Sequence, residues 1–132
     1  MIDSPKLIDL AKEAREFAYP EISGFKVGAA LLTSCGKVYL GCNIEDPSGI
    51  GVTNICAERC AIVKAVSEGY RDFSKIAVVG GKDELIFCLP CGACRQYMNS
   101  FNPKIKVVSL RDNDIVEFEL DELLPYSFNE KF

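Results

Sequence analysis

The sequence predicts an α/β chain of three layers, α/β/α, built around one mixed five-stranded sheet. An amphipathic helical period opens the chain, and a hairpin-like pair of apolar runs follows it. Helix and strand signals then alternate, giving the order α-β-β-α-β-α-β-β-α. A hairpin followed by βα units mixes antiparallel and parallel pairs in one sheet and leaves helices to cover its faces. With 132 residues, 48% apolar and 26% charged, the chain has the length and balance of one soluble globular domain over 1–132. No repeat, linker or low-complexity stretch divides it.

Each element has its own local reason. Ser4 reads as a helix cap and Pro5 as the first helical residue. Leu7, Leu10, Ala11, Ala14, Phe17 and Ala18 recur at helical spacing, predicting an amphipathic helix that ends before Pro20. Lys26 to Thr33 and Lys37 to Gly41, joined by Ser34-Cys35-Gly36, read as a β-hairpin. Residues 46–54 are rich in turn formers and read as a loop. Cys56 to Glu68 is a run of helix formers stopped by Gly69, a left-handed cap. Lys75 to Gly80 and Ile105 to Leu110 are apolar strands of the kind buried on both faces, with a helix from about Cys91 to Ser100 between them. Asp112-Asn113-Asp114 turns the chain into the alternating run Val116 to Leu120, and a short helix near Asp121 to Leu124 ends at Pro125.

Composition excludes whole classes of chemistry. There is no histidine, which removes Ser-His-Asp and Cys-His nucleophiles and every metal site that needs imidazole. Any acid or base must be a carboxylate, cysteine, lysine or tyrosine. A net charge of −4 argues against a nucleic-acid surface and leaves small molecules as the expected partners. No apolar run approaches the roughly 20 residues of a membrane helix, and the N-terminus lacks the pattern of a secretory signal. No membrane association and a cytoplasmic location are the expectation. No phosphate-binding loop is present either, since Gly49-x-Gly51 does not continue into a dinucleotide fingerprint.

Seven cysteines, at 35, 42, 56, 60, 88, 91 and 94, carry the functional reading. In a chain without a secretion signal they point to metal binding or catalysis rather than a disulfide framework. Cys91-Gly92-Ala93-Cys94 is a C-x-x-C pair at a helix mouth, which alone fits a redox motif or half a zinc site. Cys56 opens another helix upstream. Three cysteines at two helix starts fit one tetrahedral zinc with its fourth position open, the catalytic pattern. Glu58 can share that site on one condition. Residues two apart on a helix point roughly 200° from each other, so the metal must lie off the helix end rather than beside its flank. Arg59, and more weakly Arg95, could offset the thiolate charge. Three other readings stand beside this one: Cys56, Cys91 and Cys94 as reduced core cysteines, Cys60 as a fourth ligand closing a structural site, and Glu58 as a surface helix residue. Cys35, Cys42 and Cys88 read as turn or strand cysteines without chemistry.

Five blocks, Phe25-Lys26-Val27-Gly28-Ala29-Ala30, Asn43-Ile44-Glu45, Cys56-Ala57-Glu58-Arg59, Pro90-Cys91-Gly92-Ala93-Cys94-Arg95-Gln96 and Leu123-Leu124-Pro125, resemble the small homotetrameric zinc-dependent cytidine deaminases, in order and over nearly the whole chain. The resemblance implies hydrolytic deamination of cytidine and 2′-deoxycytidine with release of ammonia. It implies one zinc per subunit on Cys56, Cys91 and Cys94, with Glu58 moving protons between water, ring nitrogen 3 and the leaving amino group. It places the Ala57 backbone and Phe25 at the base and Asn43 and Glu45 at the ribose. It also implies active sites shared within a homotetramer, with Phe128 lent by a neighbouring subunit. Two departures stand out: residues 46–55 number ten without an aromatic, where the family has eight including a tyrosine, and Leu89 replaces a serine. The altered loop favours a related deaminase acting on a nucleoside analogue such as blasticidin S as the rival substrate reading. A non-catalytic structural zinc module is the rival from outside enzymes.

Overall fold

The computed structural model describes residues 1–130. Its elements are α1 (Ser4–Arg15), β1 (Lys26–Thr33), β2 (Val38–Cys42), α2 (Ala57–Ser67), β3 (Phe73–Gly81), α3 (Gly92–Asn99), β4 (Lys106–Arg111), β5 (Asp114–Glu119) and α4 (Leu120–Leu123), with a short 3-10 turn at Gly51–Thr53. The strands form one sheet in the order β2-β1-β3-β4-β5. Only the β3–β4 pair is parallel, joined by the crossover that contains α3; the other pairs are antiparallel. The expected three-layer mixed sheet is therefore observed.

Strand alternation sorts the core into two halves. Ala29, Leu31, Ile76, Val78 and Val107 face Ala61, Ile62 and Ala65 of α2 together with Cys94 and Met98 of α3. Ala30, Leu32, Ala77, Val79, Val108 and Leu110 face Leu7, Ile8 and Ala11 of α1. Both faces of the central strands are thus covered, which is why they read as continuous apolar runs. Gly69 ends α2 at φ +98°, as its position suggested, and Asp112 and Asn113 both take positive φ in the β4–β5 turn, the geometry of a tight hairpin.

Two expectations for α1 need correction. Asp3, not Ser4, is the cap, its carboxylate accepting the Lys6 N–H at 3.1 Å. Ser4 instead donates to Glu117 on β5 and accepts from Lys75 on β3, fastening the helix start to the sheet. At the other end α1 stops at Arg15, leaving Phe17 81% exposed rather than in the core. Arg15 bonds the carbonyls of Lys26 and Gly81, so the chain leaves the helix here to pin the ends of β1 and β3.

Two strand glycines set how closely the helices approach. A Cβ on Gly28 would lie 2.0 Å from the Ala11 carbonyl oxygen of α1, and one on Gly41 would lie 2.3 Å from the Ala57 carbonyl oxygen of α2. Backbone cannot move aside as a side chain can, so α2 sits against β2 only because residue 41 has no side chain. Gly28→Ala and Gly41→Ala should each cost roughly 3 kcal/mol, at the upper end of overpacking effects. Gly51→Ala, whose Cβ would meet nothing within 4 Å, should change stability by less than about 0.5 kcal/mol. Urea midpoints of the three variants check this.

Candidate active site

Both helices that reach the site begin on a cysteine. Cys56 caps α2 with extended dihedrals (φ −79°, ψ 155°) and Cys91 caps α3 likewise (φ −69°, ψ 170°), and neither helix start receives a side-chain capping bond from that residue. The backbone N–H groups that Ser or Asp would normally satisfy are left without a side-chain cap, and the positive end of each helix favours thiolate nearby. Cys94 lies in the first turn of α3, fully buried. The sulfurs of Cys56, Cys91 and Cys94 fall within 4.8 Å of one another. Glu58 shares a cavity with Cys56 and Cys91, and Cys56 lies outside the helix proper, at its cap.

The charges around the sulfurs are arranged in sequence along α2. Cys56 is pulled down to about 5 by the hydrogen bond from Cys94, assisted by Arg59, while that same bond holds Cys94 well above the ordinary thiol range. Arg59 reaches the Cys56 sulfur with Nη2 at 3.4 Å, and its buried Nε has no hydrogen-bond partner among the described residues. Three soft sulfur donors, two helix dipoles and one guanidinium fit a zinc ion: thiolate suits the metal, and three ligands leave one tetrahedral corner open. Cys60 does not join the cluster. It lines a separate pocket with Cys42 and Lys64 and lies outside the sulfur cluster, so it is not placed as a fourth ligand. Arg95 is no charge partner either, since its guanidinium bonds the carbonyls of Pro90 and Leu123 and ties the start of α3 to α4.

A cavity of about 270 Å³ opens beside the sulfurs. Phe25, Asn43, Glu45, Cys56, Ala57, Glu58 and Cys91 all line it, bringing together the residue before β1, the segment after β2, and both helix starts. Glu58 is only 4% exposed, and burial pushes its carboxyl up to about 7, so near neutrality it can hold or release a proton. Asn43 spans the backbone of β1, accepting from Val27 N–H and donating to the Phe25 carbonyl, both at 2.8 Å. The Ser23 hydroxyl and backbone lower the Glu45 carboxyl below its ordinary value, and it faces the cavity as an anion.

Phe128 does not line this cavity. Its backbone is clamped to α3 by Gln96 and Asn99, and the residue is 58% exposed. Val27, Asn54, Ile55, Cys88 and Leu89 also belong to the wall; Leu89 and the 46–55 loop stood out in the sequence, whereas Val27 and Cys88 did not. Cys88 is a correction in kind, a cavity residue rather than an idle strand cysteine. Burial pushes its thiol up to about 12, so it contributes a neutral surface. A Cβ on Gly80 would lie 2.8 Å from the Cys88 sulfur and 3.0 Å from the Phe25 ring, so that glycine keeps both from being pushed into the cavity. The only sequence signal for Cys88 was its place three residues before Cys91.

The family model for the cytidine and deoxycytidylate deaminase zinc-binding region matches residues 1–110. A cytidine deaminase of Halalkalibacterium halodurans is 48% identical over 129 residues, covering 96% of this chain and 95% of that protein. The solved structure of cytidine deaminase from Burkholderia pseudomallei superposes with a TM-score of 0.86 at 42% identity, covering 96% of this chain and 100% of that one. A blasticidin-S deaminase of Bacillus cereus stands further off, at 32% identity with 93% of this chain and 90% of that protein covered.

The geometry makes a direct prediction about metal. Purified protein should retain close to one zinc per chain through dialysis, measured by elemental analysis. Cys91→Ser and Cys94→Ser should each lower retention at least about tenfold, whereas Cys60→Ser should leave it unchanged. Zinc loss in Cys60→Ser would return that residue to the ligand set.

Proposed function

The chain belongs to the cytidine and deoxycytidylate deaminase family, and from that membership we propose that it hydrolyses cytidine and 2′-deoxycytidine to the corresponding uridines with release of ammonia. The observation that carries the reading is the single cavity in which the three-sulfur cluster and Glu58 meet the Asn43–Glu45 pair. A nucleoside has an aminated ring at one end and hydroxyls at the other, and this cavity offers matching chemistry at both. A closed structural zinc site would need neither the cavity nor a buried, readily protonated carboxyl beside the sulfurs.

Cys56, Cys91 and Cys94 hold the zinc. When bound, it supplies a Lewis acid that makes water nucleophilic near neutral pH. The chain's own residues do the rest. Glu58 takes a proton from the attacking water and delivers it to ring nitrogen 3; it then takes the remaining proton of the hydroxyl now on ring carbon 4 and passes it to the amino group, which leaves as ammonia as the carbonyl forms. Its burial keeps bulk water from short-circuiting those transfers. Ala57 at the uncapped helix start and the Phe25 ring hold the base. Asn43 retains one N–H and one lone pair beyond its bonds to β1, and Glu45 retains acceptor capacity, so the pair can bind sugar hydroxyls. Arg59 offsets thiolate charge through Cys56, keeping the site acidic enough to activate water.

The working form is a homotetramer in the cytoplasm, with Phe128 of one subunit completing the site of another. Support for the aromatic's part comes from α3, where Gln96 and Asn99 fix the Phe128 backbone while more than half of the residue faces outward. No helix among the described residues is long and apolar enough to cross a membrane.

Ammonia release from zinc-loaded protein offered cytidine, deoxycytidine, cytosine, CMP and blasticidin S tests the reading. The two nucleosides should be turned over and the others should not. Turnover of blasticidin S alone would keep the chemistry and move the substrate. Glu58→Gln should lose at least about 10²-fold in kcat while keeping zinc and the unfolding midpoint, as expected for loss of a proton-transfer group. Arg59→Ala should lower kcat roughly tenfold with smaller effect on stability, the size of one charge-assisted hydrogen bond.

A further inference from the structure

Glu45 is held by a single turn. The chain leaves α1 and makes an isolated bridge from Tyr19 to Ile44, which brings residues 20–24 alongside Glu45. Within that turn the Gly24 N–H closes onto the Pro20 carbonyl at 2.9 Å, with Gly24 at φ +71°. Glu45 Oε1 accepts the N–H groups of Ile22 and Ser23, at 2.8 and 2.9 Å, and Oε2 accepts the Ser23 hydroxyl at 2.6 Å. The Ser23 Oγ also accepts the N–H of Phe25 at 3.0 Å. With that bond in place, the hydroxyl proton is directed toward Glu45. One serine side chain therefore connects two walls of the cavity, the Phe25 wall and the Glu45 wall.

Core packing does not account for this arrangement. The turn is exposed, Ile22 is 60% accessible, and the turn residues contribute nothing to either half of the core. A carboxylate has about four acceptor positions, and three are filled from this one turn, leaving one on Oε2. A glutamate so held meets a ligand in one rotamer and loses little freedom on binding, whereas an untethered one would be ordered at the expense of affinity. We propose that Ser23 is a positioning residue for the nucleoside, presetting Glu45 for a sugar hydroxyl and holding Phe25 in register with it. The inference rests on the reading that Glu45 contacts the sugar.

Steady-state kinetics on the zinc-loaded protein with cytidine tests it, using Ser23→Ala, Ser23→Thr, Glu45→Ala and the Ser23→Ala/Glu45→Ala pair. Ser23→Ala should raise KM about tenfold with kcat changed less than about twofold and the urea midpoint unmoved, the signature of lost ground-state binding. Ser23→Thr keeps the hydroxyl and should return KM to within about twofold of the parent. In the Glu45→Ala background, Ser23→Ala should add little, because its partner is already gone. If Glu45→Ala alone leaves KM unchanged, the sugar-site reading falls and the Ser23 proposal falls with it. If Glu45→Ala raises KM but Ser23→Ala does not, or if Ser23→Ala costs as much without Glu45 as with it, Ser23 is a turn residue only and the sugar-site reading stands.

Discussion

The arrangement depends on two helices that begin on cysteine and meet at their beginnings. A helix start exposes N–H groups and a partial positive charge, and a cysteine in the capping position leaves those N–H groups without a side-chain cap while keeping a sulfur at the positive end. For two such starts to converge, α2 and α3 must lie on the same face of the sheet with their N-termini together. The crossover through α3 into a parallel β4 is one part of that solution. The close seating of α2 on β2 over Gly41 is the other. Sheet order and glycine placement therefore hold three sulfurs within 4.8 Å, a separation that no run of adjacent residues could impose.

Clustered sulfur creates an electrostatic problem that the neighbouring residues answer. Three thiolates carry more negative charge than one zinc ion neutralises, and an ionised carboxylate beside them would add to it. Arg59 sits one helical turn from Cys56 and reaches its sulfur, supplying the missing positive charge locally. Glu58 is placed where burial keeps it readily protonated, so it adds negative charge only when it has given its proton away. Glu45 illustrates the reverse case in the same cavity. Three donors from the turn favour its ionised form, so it stands in the cavity as a hydrogen-bond acceptor. Two glutamates on one cavity are thus shifted in opposite directions by their surroundings.

What the sequence disclosed follows from how local each signal is. The element order, the Gly69 stop and the tight Asp112-Asn113 turn depend on neighbours along the chain and were legible. So were Cys56, Cys91 and Cys94, because helix starts can be recognised from sequence and sulfur at such starts has a limited set of uses. The off-end placement demanded for Glu58 was also derivable, from the pitch of a helix alone. Features decided by distant partners were not legible. Ser4 is drawn from capping by Glu117, more than a hundred residues away. Arg95 looked like a charge partner until Leu123 came within reach of its guanidinium. Cys88 became cavity wall only when β3 supplied a glycine for it to lie against.

The lengthened loop before Cys56 shows how such a departure can leave a site's geometry intact. Its residues are closed upon themselves: the Asp46 carboxylate accepts from the Ser48 N–H, the Ser48 hydroxyl and the Thr53 hydroxyl, while the Asn54 side chain accepts the Asp46 N–H. The ends of the loop are fixed separately, by reciprocal backbone bonds between Ile44 and Ile55. Only Asn54 and Ile55 from this segment line the cavity, and the tip instead carries Ile50 and Val52 outward, 54% and 91% exposed. The tip of the loop therefore lies on the outer surface. Because Ile44 lies between Asn43 and Glu45, the same bridge that closes the loop also fixes the segment that carries the polar pair. A change in loop length and composition can then alter the outer rim while the inner positions keep their register, which is why Asn43, Glu45 and Glu58 still meet in one cavity.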